Sequence, residues 1–391
     1  TIIHNYIIMA NTIKLGNGNW ATKEGSLLAY NDENNNFKPL PFTTTRASSA
    51  TVVNKQGLIE TVGSGIPRID FSDDAKGALL LEPTSTNLIT YSEDFSDASW
   101  VKQNVNLTSN YEVSPDGTLN ADRVITTNVG VDFYQSLTVI ANTTYKLSFY
   151  VKLRDGEDIQ ARFYDESNWA NISYVNYSSQ LSDNQWKRVE IEVTTPLGCT
   201  SLRVWIVALT STFIDVSYWG AQLEQNSYAT SYIKTVGTAQ TRVADTASDA
   251  GNSTVINSTE GVLYFEGSAL ADNGIDKRIA ISDGTMSNYV SIGYSRFSGN
   301  ITAELFSGGF IQTTDWGATG VTQTDNNKFA MSWGSGTMKF YFNGVQRQTA
   351  SVTSPIGLNV LDFAAANGTL PMLSNTKDVR VYTTALSDAE L

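Results

Sequence analysis

The sequence predicts an all-β protein: two antiparallel β-sandwich (jelly-roll) domains in tandem after a largely irregular N-terminal attachment segment. Three observations predict it. Hydrophobic residues make up 41% of the 391-residue chain and charged residues only 17%, while Ser, Thr, Asn, Gly and aromatic residues are abundant. That mixture suits strands joined by polar turns and suits helices poorly. The apolar residues come in strand-length runs, several with period-two alternation, and no helix-length amphipathic stretch interrupts them. The length also exceeds one ordinary domain, so two or three are expected.

Residues 1–75 carry no sustained period. Residues 31–36 form a polar turn, followed by Pro39 and Pro41. So irregular a segment buries little surface alone and is expected to lie against a partner, which makes it an attachment arm. Its first residues hold an apolar patch (Ile2, Ile3, Ile7, Ile8) without the basic lead of a secretory signal, and Met9-Ala10 looks like a natural start. From residue 76 the pattern changes. Residues 79–81 read as a short buried strand, and residues 144–152 alternate with period two. Runs at 159–164, 186–193, 202–207 and 213–223 repeat the signal, with Asp155-Gly156 and Pro196-Leu197-Gly198 as turns between them. This places a first sandwich at 76–235.

Residues 236–260 lack bulky apolar side chains and read as a linker. A second sandwich, 261–391, is expected to hold strands at 262–266, 278–281, 289–294, 301–306, 328–333, 338–342 and 379–382. Asn343-Gly344 marks a type I′ hairpin turn, since both central positions need positive φ. Residues 385–391 could begin a short helix capped by Ser387.

The net charge of −13 argues against nucleic-acid binding and against attraction to anionic membranes, and no run reaches the roughly 20 apolar residues of a membrane helix. Cys199 has no partner for an intrachain disulfide and is expected to be a small buried filler. His4 is the sole histidine, so a Ser-His-Asp triad, a His-ligated zinc and a Cys-His pair are all disfavoured. A glycosidase needs only two carboxylates. Here Glu266, Asp272, Asp276 and Asp283 read as scattered through turns, and Glu190 and Glu192, beside Lys187 and Arg188, as a solvated strand face. No enzyme activity is expected.

Sugar binding is the better reading. Tyr164, Trp169, Tyr174 and Tyr177 lie close together, interleaved with Asp165, Glu166, Asn168 and Asn171, in a stretch that reads as a loop with exposed rings. The competing reading packs those rings at a sandwich edge or a subunit interface. Trp316, beside Asp315 and Gly317, is a second aromatic candidate. Glu93, Asp94 and Asp97 offer hard oxygen ligands for a structural calcium, with capped turns as their competing role.

Several segments carry a resemblance. Thr45-Arg46-Ala47-Ser48-Ser49-Ala50-Thr51, Gly57-Leu58-Ile59 and Pro67-Arg68-Ile69-Asp70, then residues 79–82, 86–88, 91–95 and Trp100, resemble a segment of bacteriophage tail and head appendage proteins. Trp219-Gly220-Ala221-Gln222-Leu223-Glu224 and residues 229–233 are similar to the closing strand of carbohydrate-binding-module jelly rolls in such proteins. Residues 329–333, Gly336, residues 339–345 and the terminal 379–391 resemble laminin-G-like, concanavalin A-like jelly rolls. The lead-in at 13–20 also looks like one found on phage structural proteins. The resemblance implies a phage virion protein: a tail fibre, head fibre or capsid decoration. It would be assembled in the host cytoplasm and dock on other virion proteins through its N-terminal segment. It would be a homo-oligomer (a trimer, by the habit of fibres) that projects lectin-like domains towards host or environmental glycans. Alternatives are a secreted bacterial lectin or binding module of a glycan-degrading enzyme, and a purely structural virion protein that binds no glycan.

Overall fold

The computed structural model describes residues 13–16, 18, 20–23, 25–29, 42–128, 130–156, 158–182, 184–209, 213–315, 320–388 and 391. Among these residues the protein is all-β. Apart from one 3-10 turn at Ser178–Gln180, the regular elements are strands in antiparallel ladders. The chain forms two compact units. One is assembled from residues 1–49, 62–83 and 244–391, the other from residues 50–61 and 84–243.

The unit of residues 50–61 and 84–243 is a sandwich of two five-stranded sheets. The first has the order Val101–Gln103, Gly130–Thr138, Ser201–Leu209, Gln160–Asp165, Ala170–Asn176. The second has the order Val105–Val113, Leu119–Thr126, Asp215–Glu224, Thr144–Asp155, Trp186–Thr194. Period two puts Tyr145, Leu147, Phe149 and Val151 on one face of their strand, and register sets the first three opposite Val193, Ile191 and Val189. All seven are buried in one core with Phe95, Trp100, Phe133 and Tyr218. Cys199 fills a gap in that core, as expected, and burial pushes its thiol up to about 11.

The other unit is also a sandwich. Its larger sheet runs Val345–Ser351, Thr337–Phe342, Asn327–Gly334, Gly261–Ala269, Ser374–Tyr382, Ala78–Leu81, Ile69–Asp70, with Ile13–Gly16 also pairing onto Ser374–Tyr382. The facing sheet runs Phe310–Asp315, Ile301–Ser307, Tyr289–Tyr294, Lys277–Ser282, Val360–Asp362. Leu263, Phe265, Phe329 and Met331 from the first meet Ile279, Val290, Ile292 and Leu305 from the second in a common core. Asn343 (φ 50°) and Gly344 (φ 76°) make the expected turn.

The division of the chain differs from the sequential blocks read from the sequence. Described residues of the expected arm and linker are structured. Trp20–Lys23, Ser26–Ala29, Phe42–Thr45 and Thr246–Ser248 form a four-stranded sheet, and Leu27, Phe42 and Ala247 enter the core of the larger sandwich. Strands of two to four residues show no period, which is why these segments read as irregular. Ala170–Asn176 is a strand rather than a loop. Residues 385–388 are not helical, and Ala389 and Glu390 lie outside the described residues.

A buried ion network holds these short segments. Arg46 Nη1 donates to Asp245 Oδ1 (2.8 Å), Arg68 Nη1 donates to Glu82 Oε2 (2.6 Å), and Arg68 Nη2 also pairs with Asp245. Arg46 further donates to the carbonyls of Ser48 (3.0 Å), Ile66 (3.1 Å) and Gly63 (2.6 Å). All four charged side chains are buried. Removing one partner leaves uncompensated charge in a low dielectric, so Asp245→Asn is expected to cost about 3–5 kcal/mol of this unit's stability. Urea unfolding of the full chain measures it; a loss below about 1 kcal/mol would show the network to be dispensable.

Candidate functional site

Period two that fills the core with Leu202, Val204 and Ile206 sends Arg203 and Trp205 to the opposite face of their sheet. Register then builds rows across that outer face. Tyr134 pairs with Trp205, Trp205 with Arg162, and Arg162 with Tyr174. In the next row Ser136 pairs with Arg203, Arg203 with Tyr164, and Tyr164 with Asn171. The side chains interleave as cation and ring. The Arg203 guanidinium lies 4.4 Å from the Tyr134 ring and 5.2 Å from that of Trp205. The Arg162 guanidinium lies 4.8 Å from Trp205 and 5.0 Å from both Tyr164 and Tyr174. Trp205 is therefore covered on its own outer face, at 2% exposure, and its indole N–H donates to Asp132 Oδ1 (2.8 Å). Glu166 accepts from Arg203 Nε (2.8 Å) and Nη2 and from Ser201 Oγ (2.9 Å), and these bonds outweigh its partial burial to hold its carboxyl below the usual range.

Two rings remain in water. Tyr174 is 41% exposed and Trp169 is 78% exposed. Trp169 has φ 52°, a conformation L residues rarely adopt, in the turn joining the strands of Tyr164 and Tyr174. That turn is anchored. Buried Asp165 accepts the backbone N–H of Ser167 (2.9 Å) and Asn168 (3.1 Å) and the side-chain amide of Asn168 (2.8 Å). Burial alone would raise the Asp165 carboxyl, but these bonds and one from Cys199 hold it low. Ser167 Oγ accepts the N–H of Thr200 and Ser201 (3.0 and 2.9 Å), tying the turn to the next strand.

The structure thus brings three of the expected aromatic residues, Tyr164, Trp169 and Tyr174, to one face and its rim. Tyr177 is not among them. It is wholly buried: its hydroxyl donates to the carbonyl of Ile206 (2.7 Å), beside the Tyr218 hydroxyl, and its backbone N–H donates to the carbonyl of Ile159 (3.0 Å). Trp316 lies outside the described residues. Sequence reading missed Tyr134, Arg162, Arg203 and Trp205. The signal was present in the alternation of 202–207, which assigns Arg203 and Trp205 to one face.

The loop proposed for calcium is filled differently. Asp94 Oδ1 caps Ser96 (N–H 3.0 Å, Oγ 2.6 Å) and Asp97 Oδ1 caps the N–H of Ser99 (2.8 Å). Glu93 binds Lys234 Nζ (2.6 Å) and the Tyr232 hydroxyl (3.0 Å). Lys102 Nζ donates to four loop carbonyls, those of Phe95, Ser96, Asp97 and Trp100, at 2.7–3.1 Å, so an ammonium sits in the oxygen cage. Among the described residues no group of three or more His, Cys, Asp or Glu is placed to hold a metal ion.

A cavity of about 700 Å³ lies over the larger sheet of the other unit. On its floor Glu266 stands opposite Asp378 on neighbouring strands, so Glu266 is a strand residue rather than a turn residue. Glu266 accepts from the Tyr264 hydroxyl (2.8 Å) and Asn326 Nδ2 (2.9 Å), and these bonds outweigh its burial to keep its carboxyl low. Asp378 Oδ2 accepts from Arg380 Nε (2.9 Å) and Nη2 (2.5 Å). The Glu266 carboxyl thus lacks the raised proton affinity of a general acid.

No protein-family model matches the chain, and no curated protein sequence matches it. Among solved structures it is similar to the CBM40 domain of the Ruminococcus gnavus IT-sialidase bound to α2,3-sialyllactose. There the identity is 20%, covering 37% of this chain and 91% of that one, with a TM-score of 0.31. It is also similar to the CBM22-1 xylan-binding domain of Paenibacillus barcinonensis Xyn10C (19% identity, 37% and 94% covered, TM-score 0.28). A third is the enzymatically active domain of bacteriophage CBA120 tailspike protein 4 (14% identity, 35% and 21% covered, TM-score 0.29). Scores of this size assign neither a family nor a ligand.

Beside the Lys102 loop, burial pushes the Asp122 carboxyl up to about 6, against the pull of the N–H groups of Asn110 and Phe95 that it accepts. Between the ordinary value of 3.8 and this one, the folded chain holds a proton that the unfolded chain has released. Stability from this group is therefore greatest below about pH 4 and falls as pH rises to about 6, by roughly 1–3 kcal/mol in all. Thermal unfolding of parent and Asp122→Asn proteins across that range is expected to show the slope in the parent and a flatter profile in the variant.

Proposed function

We propose that the protein binds glycans through the outer face built on Tyr134, Trp205, Arg162, Tyr164 and Tyr174, with Trp169 at its rim. The observation that carries this is Trp169 itself. A large aromatic side chain held in water on a positive-φ residue is unfavourable, and here it is fixed there by a buried aspartate and two serine-centred bonds. Outliers of this kind persist where a binding surface needs them. A sugar ring can lie on the exposed faces of Trp169 and Tyr174 and take hydrogen bonds from the Asn171 amide and Arg162.

The proposed setting is the surface of a bacteriophage particle, where many copies would convert weak single sites into avidity. What supports it is the resemblance of residues 45–245, and of the lead-in at 13–20, to phage structural and appendage proteins. In this reading the chain is a homo-oligomer, binds without transforming its ligand, and docks on other virion proteins through its N-terminal segment.

Trp169→Ala and Tyr174→Ala are each expected to weaken glycan binding at least tenfold, about 1.4 kcal/mol. Stability should stay within about 0.5 kcal/mol of the parent, since both rings are exposed. Binding by glycan array or calorimetry alongside thermal unfolding checks this; unchanged binding by both variants would sink the site. Light scattering on the full chain tests the assembly: a closed oligomer is expected, and a monodisperse monomer would overturn the self-assembling fibre.

A further inference from the structure

We infer that this face selects glycans bearing a carboxylate, and that Arg162 reads that group; the inference rests on the glycan-binding reading above. The two arginines of the face differ in one respect. Arg203 is closed by Glu166, which takes its Nε and Nη2. Arg162 donates Nε to the amide oxygen of Asn171 (3.0 Å) and makes no ion pair among the described residues. The other nearby acids are spoken for: Asp132 accepts the Trp205 indole N–H, and Asp165 anchors the Trp169 turn.

An open arginine fork is unexpected in a chain with 39 acidic and 26 basic side chains, where a carboxylate partner is easily found. Three rings hold it in place, at 4.8–5.0 Å. They fix the plane of the guanidinium and keep its terminal Nη nitrogens from swinging to a distant acid. Arg162 is only partly buried, and the exposed rings of Tyr174 and Trp169 lie on the strand and turn beside it. The chemistry that fits is a pyranose bearing a carboxylate on its ring, a hexuronate or a nonulosonate. Its two oxygens accept in parallel from Nη1 and Nη2, and its ring face lies against the exposed aromatics.

The test is a glycan array probed with the labelled full-length chain in about 0.15 M salt. Hexuronate- and nonulosonate-bearing glycans are printed beside their carboxyl methyl esters, sulfated glycans and neutral parents. Signal is expected on the free carboxylates, at least tenfold lower on the esters. Arg162→Gln should lose that same tenfold preference, and Arg162→Lys should recover only part of it, because an ammonium keeps the charge without the fork. Equal signal on acid and ester, signal confined to sulfated or neutral glycans, or an Arg162→Gln protein that keeps its preference would each overturn the carboxylate inference and leave glycan binding standing. No signal on any feature would overturn both. The acid–ester comparison uses the unaltered protein, so it decides the matter even if the variant folds poorly.

Discussion

The fold depends on one buried group of charges. Arg46, Arg68, Glu82 and Asp245 stand a few residues from the four places where the chain passes between its two units, at residues 49–50, 61–62, 83–84 and 243–244. The segments there are short, from the two-residue strand Ile69–Asp70 to the four-residue strands Phe42–Thr45 and Ala78–Leu81, so each buries few apolar side chains. Two cations balanced by two anions, with Arg46 also donating to three carbonyls, offset the desolvation that would otherwise forbid such burial. Arginine suits the task because one planar fork can reach an acid and several carbonyls together. The backbone closes the arrangement: Asp245 N–H donates to the carbonyl of Glu82 (2.9 Å), and Glu82 N–H to the Asp245 carboxylate (3.0 Å).

Given that frame, one rule builds both core and site. Along Ser201–Leu209, alternate residues enter the core while Arg203 and Trp205 face outward, and register aligns them with Tyr134, Arg162, Tyr164 and Tyr174 on neighbouring strands. Cross-strand pairs of ring and cation stabilise a sheet face modestly. Here they do something further. By covering Trp205 they remove it as a stacking surface, and they leave the exposed aromatic area to Tyr174 and the Trp169 turn.

Much of this was legible in the sequence, for a physical reason. Thr144–Asp155 was found by its alternation and Tyr289–Tyr294 and Ile301–Ser307 by their apolar runs, each within a few residues of its ends, whereas the longer but more polar Val105–Val113, Leu119–Thr126 and Gly130–Thr138 were not read. The Asn343-Gly344 turn was found because positive φ restricts residue choice. Short strands leave no trace, and the interleaved units could not be read, because long-range ion pairs such as Arg46 with Asp245 have no local signature. The site was half legible. Clustered aromatics pointed to Tyr164, Trp169 and Tyr174, but Tyr177 follows them in sequence and turns inward, and Trp205 lies a whole strand away. Only pairing brings it into the row.

The charge of the molecule and the proposed ligand pull in opposite directions, and distance decides between them. A net charge of −13 repels an anionic glycan at long range. At physiological salt, exposed charges are screened beyond about 8 Å, so the repulsion from most of the surface fades before contact. What remains at contact is the local set: Arg162 with an open fork, Arg203 already balanced by Glu166, and Asp132 engaged with an indole N–H. By formal charge Glu166 and Asp132 match the two arginines, so the face offers an open guanidinium fork rather than an excess of positive charge. Such an arrangement gains little from electrostatic steering and places its selectivity in the short-range geometry of one guanidinium held between rings.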